Sequence, residues 1–226
     1  MKKELAIVLL SGGMDSAVCA SVASQNYRLS FLHFQYGQKA QEKELECFHK
    51  LIEFFKPEKF QVVYLSFFKD FGGSSLISEE LEIPEKQEKG IPSTYVPFRN
   101  GIFLSIATAW AEVIGAKKIF IGVNEVDFSG YPDCRKNFIK IFNQAINIGT
   151  KPETQIEIET PIINLTKKEI VELGIKLKTP FHLTWSCYRG GEKACGRCDS
   201  CKLRLKAFKE AGIKDPLFYE IFNFKL

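Results

Sequence analysis

The chain is predicted to be an α/β protein built on a doubly wound, mostly parallel sheet, and three observations lead there. Five short β-rich runs, at Glu4–Leu10, Leu29–Phe34, Phe60–Ser66, Lys118–Val123 and Gln155–Thr160, alternate with longer segments of helical period, as parallel strands joined by crossover helices do. The first run ends in a glycine turn, Ser11-Gly12-Gly13-Met14-Asp15-Ser16, that leads directly into a helix-like stretch. At 226 residues and 45% hydrophobic content, the chain is long enough for one substantial core and too short for a second full catalytic domain.

The turn after the first strand carries the strongest chemical signal. Two adjacent glycines let the backbone take positive φ and bring its N–H groups close to an anion, while the following helix aims its partly positive N-terminus at the same point. Ser11 and Ser16 add hydroxyl donors. Gly-Gly and Asp-Ser pairs also occur in turns without a ligand, but open α/β sheets bind ligands at the carboxyl ends of their strands, where this turn lies. No Gly-Lys-Ser/Thr follows it, which disfavours a lysine-anchored Walker loop.

Further along, Leu45, Phe48, Ile52 and Phe55 share one helical face, and so do Phe103, Ile106, Ala107, Trp110 and Val113. Both faces read as core. Between Asp70 and Pro97 the periodicity fades into glycine, serine, proline and charge, and a loop of that length in a compact domain reads as a lid, a partner contact or disorder. Thr166-Lys167-Lys168-Glu169 reads as a capping box, structural in purpose, opening a short helix that Gly174 is expected to close.

Two segments should meet the glycine turn at the same sheet edge: Tyr95 to Asn100, before an apolar helix, and Gly122 to Arg135, after the fourth strand. The second combines Glu125, Asp127 and Asp133 with Phe128 and Tyr131. That mixture suits a planar heterocycle, with rings stacked on an aromatic and a carboxylate accepting from a guanine-like N–H and amino pair. A connecting loop of solvated acids fits the composition equally well.

Seven cysteines are an odd number, and Cys187, Cys195, Cys198 and Cys201 crowd the C-terminal part as C-x7-C-x2-C-x2-C. Two-residue spacers let thiolates converge on one ion, and four thiolates make the closed, structural type of Zn²⁺ site. The last three cysteines overlap an iron–sulfur run, but the fourth lies upstream of them, which favours zinc. Cys19 and Cys47 are expected to pack within helices.

The formal charge of +4, with basic and acidic residues interspersed, gives no footprint for nucleic acid. No apolar segment is long enough to span a membrane, and the N-terminus lacks the length and cleavage region of a signal peptide, so a cytoplasmic protein is expected.

Ser-Gly-Gly-x-Asp-Ser resembles the pyrophosphate loop of enzymes that split ATP between its α and β phosphates. That loop, Tyr36-Gly37-Gln38, Val96-Pro97 with Arg99-Asn100, the run from Asp127 to Arg135 and the cysteine quartet stand in the order found in the family of 7-cyano-7-deazaguanine synthases. The resemblance spans nearly the whole chain. Two departures are Gln35, where the family often has an acid, and Phe98, where it usually has glycine.

The resemblance implies five parallel strands in the order 3-2-1-4-5, one catalytic domain over residues 1–226, a lid or dimer-contact insertion at 70–97 and a zinc-binding segment at 180–226. It implies that ATP, 7-carboxy-7-deazaguanine and ammonia become a nitrile for queuosine precursor synthesis, first through an adenylated acid and then through an adenylated amide. Leu10, Ser11, Gly12, Gly13, Met14, Asp15 and Ser16 would hold ATP with Mg²⁺, and Ser11, Asp15, Ser16 and Arg99 would serve adenylation. Arg99, Glu125, Asp127, Phe128, Tyr131, Asp133 and Arg135 would hold the acid, with Asp133 first for the deazaguanine edge. A homodimer is implied as well. The alternative is a pyrophosphate-loop tRNA sulfur transferase, which would need an active-site persulfide or cluster cysteine and an RNA-binding surface. A zinc-ribbon-like binding module would leave the glycine turn without a purpose.

Overall fold

In a computed structural model describing residues 3–85, 90–126 and 130–220, strands β1 (Leu5–Leu9), β2 (Arg28–Gln35), β3 (Lys59–Tyr64), β4 (Lys118–Phe120) and β5 (Glu157–Glu159) form one sheet in the order β3-β2-β1-β4-β5. Every pairing is parallel, with Leu5 opposite Arg28 and Val8 opposite both Phe31 and Phe120. The chain winds outward from β1 in one direction and then returns to build β4 and β5 on its other side. The order therefore reverses between β1 and β4, and the crevice beyond their carboxyl ends is where such sheets take ligands.

Strand β1 is buried along its whole length, and its side chains alternate between the two faces. Ala6, Val8 and Leu10 pack with α1 (Met14–Asn26), α2 (Gln41–Phe55), α6 (Lys167–Lys176) and α7 (Asp199–Glu210). Leu5, Ile7 and Leu9 pack with α3 (Phe67–Phe71), α4 (Arg99–Ile114) and α5 (Lys136–Gly149). Burying side chains such as Phe31, Phe48, Leu51 and Leu104 fully, as here, is worth ~2–3 kcal/mol each.

The expected face of α2 is on the core: Phe48 is buried and Leu45, Ile52 and Phe55 pack around it. On α4, Phe103, Ile106, Ala107 and Trp110 do the same, but Val113 is 82% exposed. Ile114 packs on the core in its place, because the step from Trp110 to the next inward position is four residues rather than three.

The capping box is present, with Glu169 N–H donating to Thr166 Oγ1 at 3.3 Å and Thr166 N–H donating to Glu169 Oε2 at 2.7 Å. Gly174 does not close that helix, which continues to Lys176. Its glycine is needed for packing instead, since a Cβ there would lie 2.3 Å from the Phe181 ring.

The 70–97 stretch is tied to the body where it is described. Leu76 and Ile77 join the main core, Ile83 joins the cysteine cluster, and Ser75 N–H donates to Ser93 O at 2.8 Å. The C-terminal segment is fastened by a buried ion pair: Arg204 Nε donates to Asp215 Oδ2 at 2.9 Å and Nη2 to Oδ1 at 3.0 Å. Arg204 also donates to Thr184 Oγ1 and Phe181 O, and Tyr219 donates its hydroxyl to Asp215 at 2.6 Å.

Candidate active site

The glycine turn leaves β1 at its carboxyl end and feeds the N-terminus of α1. Gly12 has φ 88°, and a Cβ on it would lie 2.5 Å from the backbone carbonyl of Glu44 on α2, so both conformation and space demand glycine. The two serines close the turn. Ser16 Oγ donates to Gly13 O at 2.9 Å and lies 3.1 Å from Ser11 Oγ, while Gly13 N–H donates to Ser11 Oγ at 3.2 Å. Gly122, just past β4, passes so close to this corner that a Cβ would meet Ser16 N at 3.1 Å. The exits of β1 and β4 are thereby held together.

Beyond them lies a cavity of about 290 Å³, lined among others by Ser11, Asp15, Ser16, Arg99, Tyr131 and Lys167. Asp15 pairs through Oδ2 with Lys167 Nζ at 2.5 Å, while its Oδ1 is buried with no hydrogen-bond partner among the described residues. Lys167 belongs to the first turn of α6, within the capping box, so the segment that opens this helix also reaches the cavity. Nothing local in the sequence marks it, because its partner is 152 residues away.

Arg99, the first residue of α4, donates from Nη1 to the Tyr36 hydroxyl at 2.8 Å and lies over the rings of Tyr36 and Phe103 at 5.5 and 5.8 Å. Its Nε is buried without a partner among the described residues. Phe98, which precedes it, adopts φ 54° and ψ 23°, the left-handed conformation that favours glycine. The residue holds that position through its ring, which packs edge-on to Phe138 at 5.7 Å, and through its N–H, which donates to the Tyr95 hydroxyl at 2.9 Å.

The segment after β4 divides between wall and support. Tyr131 lines the cavity and donates its hydroxyl to Thr94 Oγ1 at 2.8 Å; burial pushes its phenol up from the ordinary value. Asp133 is 3% exposed and accepts from Asn100 N–H at 2.8 Å. Phe98 offers no capping side chain, so Asp133 caps α4 from outside and steadies Arg99. Burial raises the Asp133 carboxyl, and its Oδ1 has no partner among the described residues. Glu125 accepts from Lys136 N–H at 3.4 Å, at the start of α5, and Arg135 is exposed at the N-cap of that helix. Asp133, Glu125 and Arg135 do not line the cavity. Asp127 and Phe128 lie outside the described residues.

The sequence reading also passed over Glu44. It lines the cavity from the first turn of α2, and Gln38 Nε2 donates to its Oε2 at 2.8 Å. Burial pushes the Glu44 carboxyl above its usual range, against the opposing pull of the Gln38 hydrogen bond and the Arg99 charge.

The four cysteines of the quartet converge, with their sulfur atoms all within 4.8 Å of one another and Cys195 Sγ 4.0 Å from Cys201 Sγ. Thiolates at ~2.3 Å around a tetrahedral ion stand about 3.8 Å apart, so the group can hold a metal ion. The N–H groups of Arg189 and Cys195 donate to Cys187 Sγ, and those of Arg197 and Cys198 donate to Cys195 Sγ, each at 3.4 Å. Such donors stabilise thiolate charge. The cluster also reaches the glycine turn: Trp185 N–H donates to Gly12 O at 2.9 Å, and its indole N–H donates to Cys187 O at 2.8 Å. Trp185, Ser186 and Tyr188, around Cys187, line the cavity. Cys19 and Cys47 are buried in α1 and α2, while Cys134 lines the cavity and accepts from Asn100 Nδ2 at 3.2 Å.

Residues 5–212 match the family described as Queuosine biosynthesis protein QueC. The chain is 50% identical over 222 residues to a 7-cyano-7-deazaguanine synthase of Nautilia profundicola, covering 97% of this chain and 99% of that one. A protein of the same name from Nitratiruptor is 52% identical over 217 residues, covering 95% of this chain and 98% of that one. Among solved structures, a 4-thiouridine synthetase in complex with RNA and bound ATP superposes with TM-score 0.53 at 19% identity, over 91% of this chain and 53% of that one. The NMN synthetase of Francisella tularensis superposes with TM-score 0.51 at 18% identity, over 94% of this chain and 79% of that one. These two likenesses extend to the fold.

Proposed function

The chain belongs to the queuosine biosynthesis family QueC, and we propose that it is an ATP-dependent ligase converting 7-carboxy-7-deazaguanine and ammonia to 7-cyano-7-deazaguanine. The observation that carries this reading is the meeting of the glycine turn, the cationic side chains of Arg99 and Lys167 and an aromatic wall in one cavity at the switch point of the sheet.

The chemistry explains why one site must activate its substrate twice. A carboxylate is a poor electrophile, and transfer of AMP to its oxygen creates a mixed anhydride that ammonia can open to the amide. The amide holds its oxygen as firmly, and a second adenylation lets that oxygen leave with AMP as the C–N bond becomes a nitrile.

In this reading the N–H groups at Ser11 to Ser16 and the N-terminus of α1 receive the pyrophosphate as it departs, preorganised for the growing charge. Lys167 and Arg99 neutralise phosphate charge from opposite walls. Tyr131 and Tyr188 supply ring faces for the deazapurine. The placement of Asp133 under α4 supports a positioning role, through Asn100 and Arg99, rather than contact with the deazaguanine edge.

The unpartnered Asp15 Oδ1 fits a Mg²⁺ ion carried in with ATP, which would supply charge neutralisation on the phosphates. Cys187, Cys195, Cys198 and Cys201 fit a structural Zn²⁺, which would lock the Trp185 contact with Gly12 and leave no open coordination position.

Product analysis tests the reading. Protein incubated with ATP, Mg²⁺, ammonium and 7-carboxy-7-deazaguanine should release two AMP and two pyrophosphate per nitrile formed. Folded protein that yields none of the three products would refute it.

A further inference from the structure

The cavity is equipped for anions, yet its wall includes a carboxylate. Glu44 stands on α2 with its backbone carbonyl pressed against Gly12, at the turn assigned above to the pyrophosphate. Its side chain is held from the other end by Gln38, which donates to Oε2 at 2.8 Å. Gln38 is itself fixed, accepting from Tyr36 N–H at 2.9 Å and donating to Phe34 O at 3.3 Å. Among the described residues, Glu44 forms no ion pair. The Arg99 charge already pulls on this carboxylate, and the cost that Glu44 still imposes on ATP binding falls further when a second cation meets it.

Three cationic or hydrogen-bond-donating partners enter this chemistry, and the geometry separates them. The edge of a deazaguanine offers two parallel donors and calls for both oxygens of a carboxylate, and the Gln38 hydrogen bond occupies one lone pair of Oε2, so that grip is weaker than one by a free carboxylate. A divalent ion on the phosphates has the buried, unpartnered Oδ1 of Asp15 on α1. A small monocation needs only one strong acceptor, which Oε1 of Glu44, a residue of the cavity wall, supplies.

We propose that Glu44 docks the ammonium co-substrate and takes a proton from it, an assignment that rests on the adenylation reading above. One N–H bond of ammonium breaks as its proton passes to the Glu44 carboxylate, leaving the nitrogen lone pair free. That pair forms the C–N bond to the adenylated carbon, and the C–O bond to AMP breaks with AMP taking its electron pair. The nitrogen then loses a second proton to solvent, giving the primary amide, and Glu44 returns its own proton to solvent. Burial of Glu44 favours this exchange by making its carboxylate a stronger base than an exposed one.

The experiment separates the two halves of the reaction in Glu44→Gln, which keeps the size and one oxygen of the side chain. Exchange of labelled pyrophosphate into ATP, run with Mg²⁺ and 7-carboxy-7-deazaguanine but no ammonium, should not fall more than about threefold below the unsubstituted chain and is free to rise, since the substitution removes a negative charge beside the turn. With ammonium present, its KM should rise at least about tenfold and amide formation should slow about a hundredfold. Glu44→Asp, run beside it with thermal melts of both, should recover part of the loss.

Loss of exchange in a folded Glu44→Gln chain would assign Glu44 to ATP or its metal and overturn the proposal. A rise in KM for the acid with ammonium unchanged would assign it to the purine edge, and unchanged kinetics would leave it no role; either overturns the proposal. If the unsubstituted chain gives no exchange, the adenylation reading itself fails, and this assignment with it.

Discussion

Acidification should weaken this fold through one histidine. His33 on β2 is fully buried, its Nδ1 hydrogen-bonds to the carbonyl of Leu10 at 2.9 Å, and its ring stacks on Phe48 at 4.7 Å. The other ring nitrogen, Nε2, is buried with no partner among the described residues, so a proton added there has nowhere to donate. Burial lowers the His33 pKa from 6.5 to about 4. Because the folded value lies below the unfolded one, the unfolded chain binds more protons between them. Stability is therefore complete above pH ~6.5 and is lost as pH falls toward 4.

A difference of about 2.5 units at 1.36 kcal/mol per unit is about 3.4 kcal/mol over the whole window, of which about 2 kcal/mol is lost by pH 5. For a chain of this length that corresponds to a fall of about 4–8 °C in Tm. The assay is urea unfolding at pH 7.5 and 5.0 for the unsubstituted chain and for His33→Asn, which keeps a donor near Leu10 O but cannot titrate. Glu44 and Asp133, whose carboxyls burial raises, act with the opposite sign in this range, so the comparison is between the two chains' losses. His33→Asn should lose about 2 kcal/mol less than the unsubstituted chain. Equal losses in the two chains would refute the reasoning.

Three other outcomes are expected. Gly12→Ala should weaken ATP binding at least about tenfold and lower stability by about 2 kcal/mol, because a Cβ would collide with the Glu44 carbonyl at a residue with φ 88°; calorimetric titration and urea unfolding read the two effects. Asp215→Ala leaves Arg204 buried and unpaired and should cost about 3–5 kcal/mol, while Lys206→Ala, removing an exposed pair with Glu210, should cost under ~1 kcal/mol in the same denaturation assay. Purified protein should contain one zinc per chain by elemental analysis, and complete chelation should lower Tm and change Trp185 fluorescence, since that indole donates to Cys187 O while the Trp185 backbone N–H holds Gly12 O. A metal-free chain with unchanged Tm would contradict the structural role.

The elements read correctly in advance were those whose cause is local. The alternation of β-rich runs with helical faces, the glycine turn, the capping box at Thr166 and the spacing of the cysteines are each set by residues within about one turn or one loop of each other. The strand order came from the family resemblance, and the parallel ladders bear it out. Positions whose neighbours depend on packing were misread or passed over. Val113 fits the helical face by spacing but points outward because Ile114 completes the contact. Gly174 looks like a helix terminator but is there to admit the Phe181 ring.

The amino-acid order alone thus specified a glycine turn at a strand end, a cysteine quartet able to converge on one ion, and a loop rich in acids and rings beside them. It did not specify which of the chain's acids would face the cavity. Asp133 and Glu44 are both carboxylates close to a helix start, yet one is turned under α4 to cap it and the other lines the cavity. The difference arises from how α4 and α2 sit on the two faces of the sheet. Lys167 meets Asp15, and Trp185 meets Gly12, by the same route: contacts across more than 150 residues are made when the layers pack, and no local spacing encodes them.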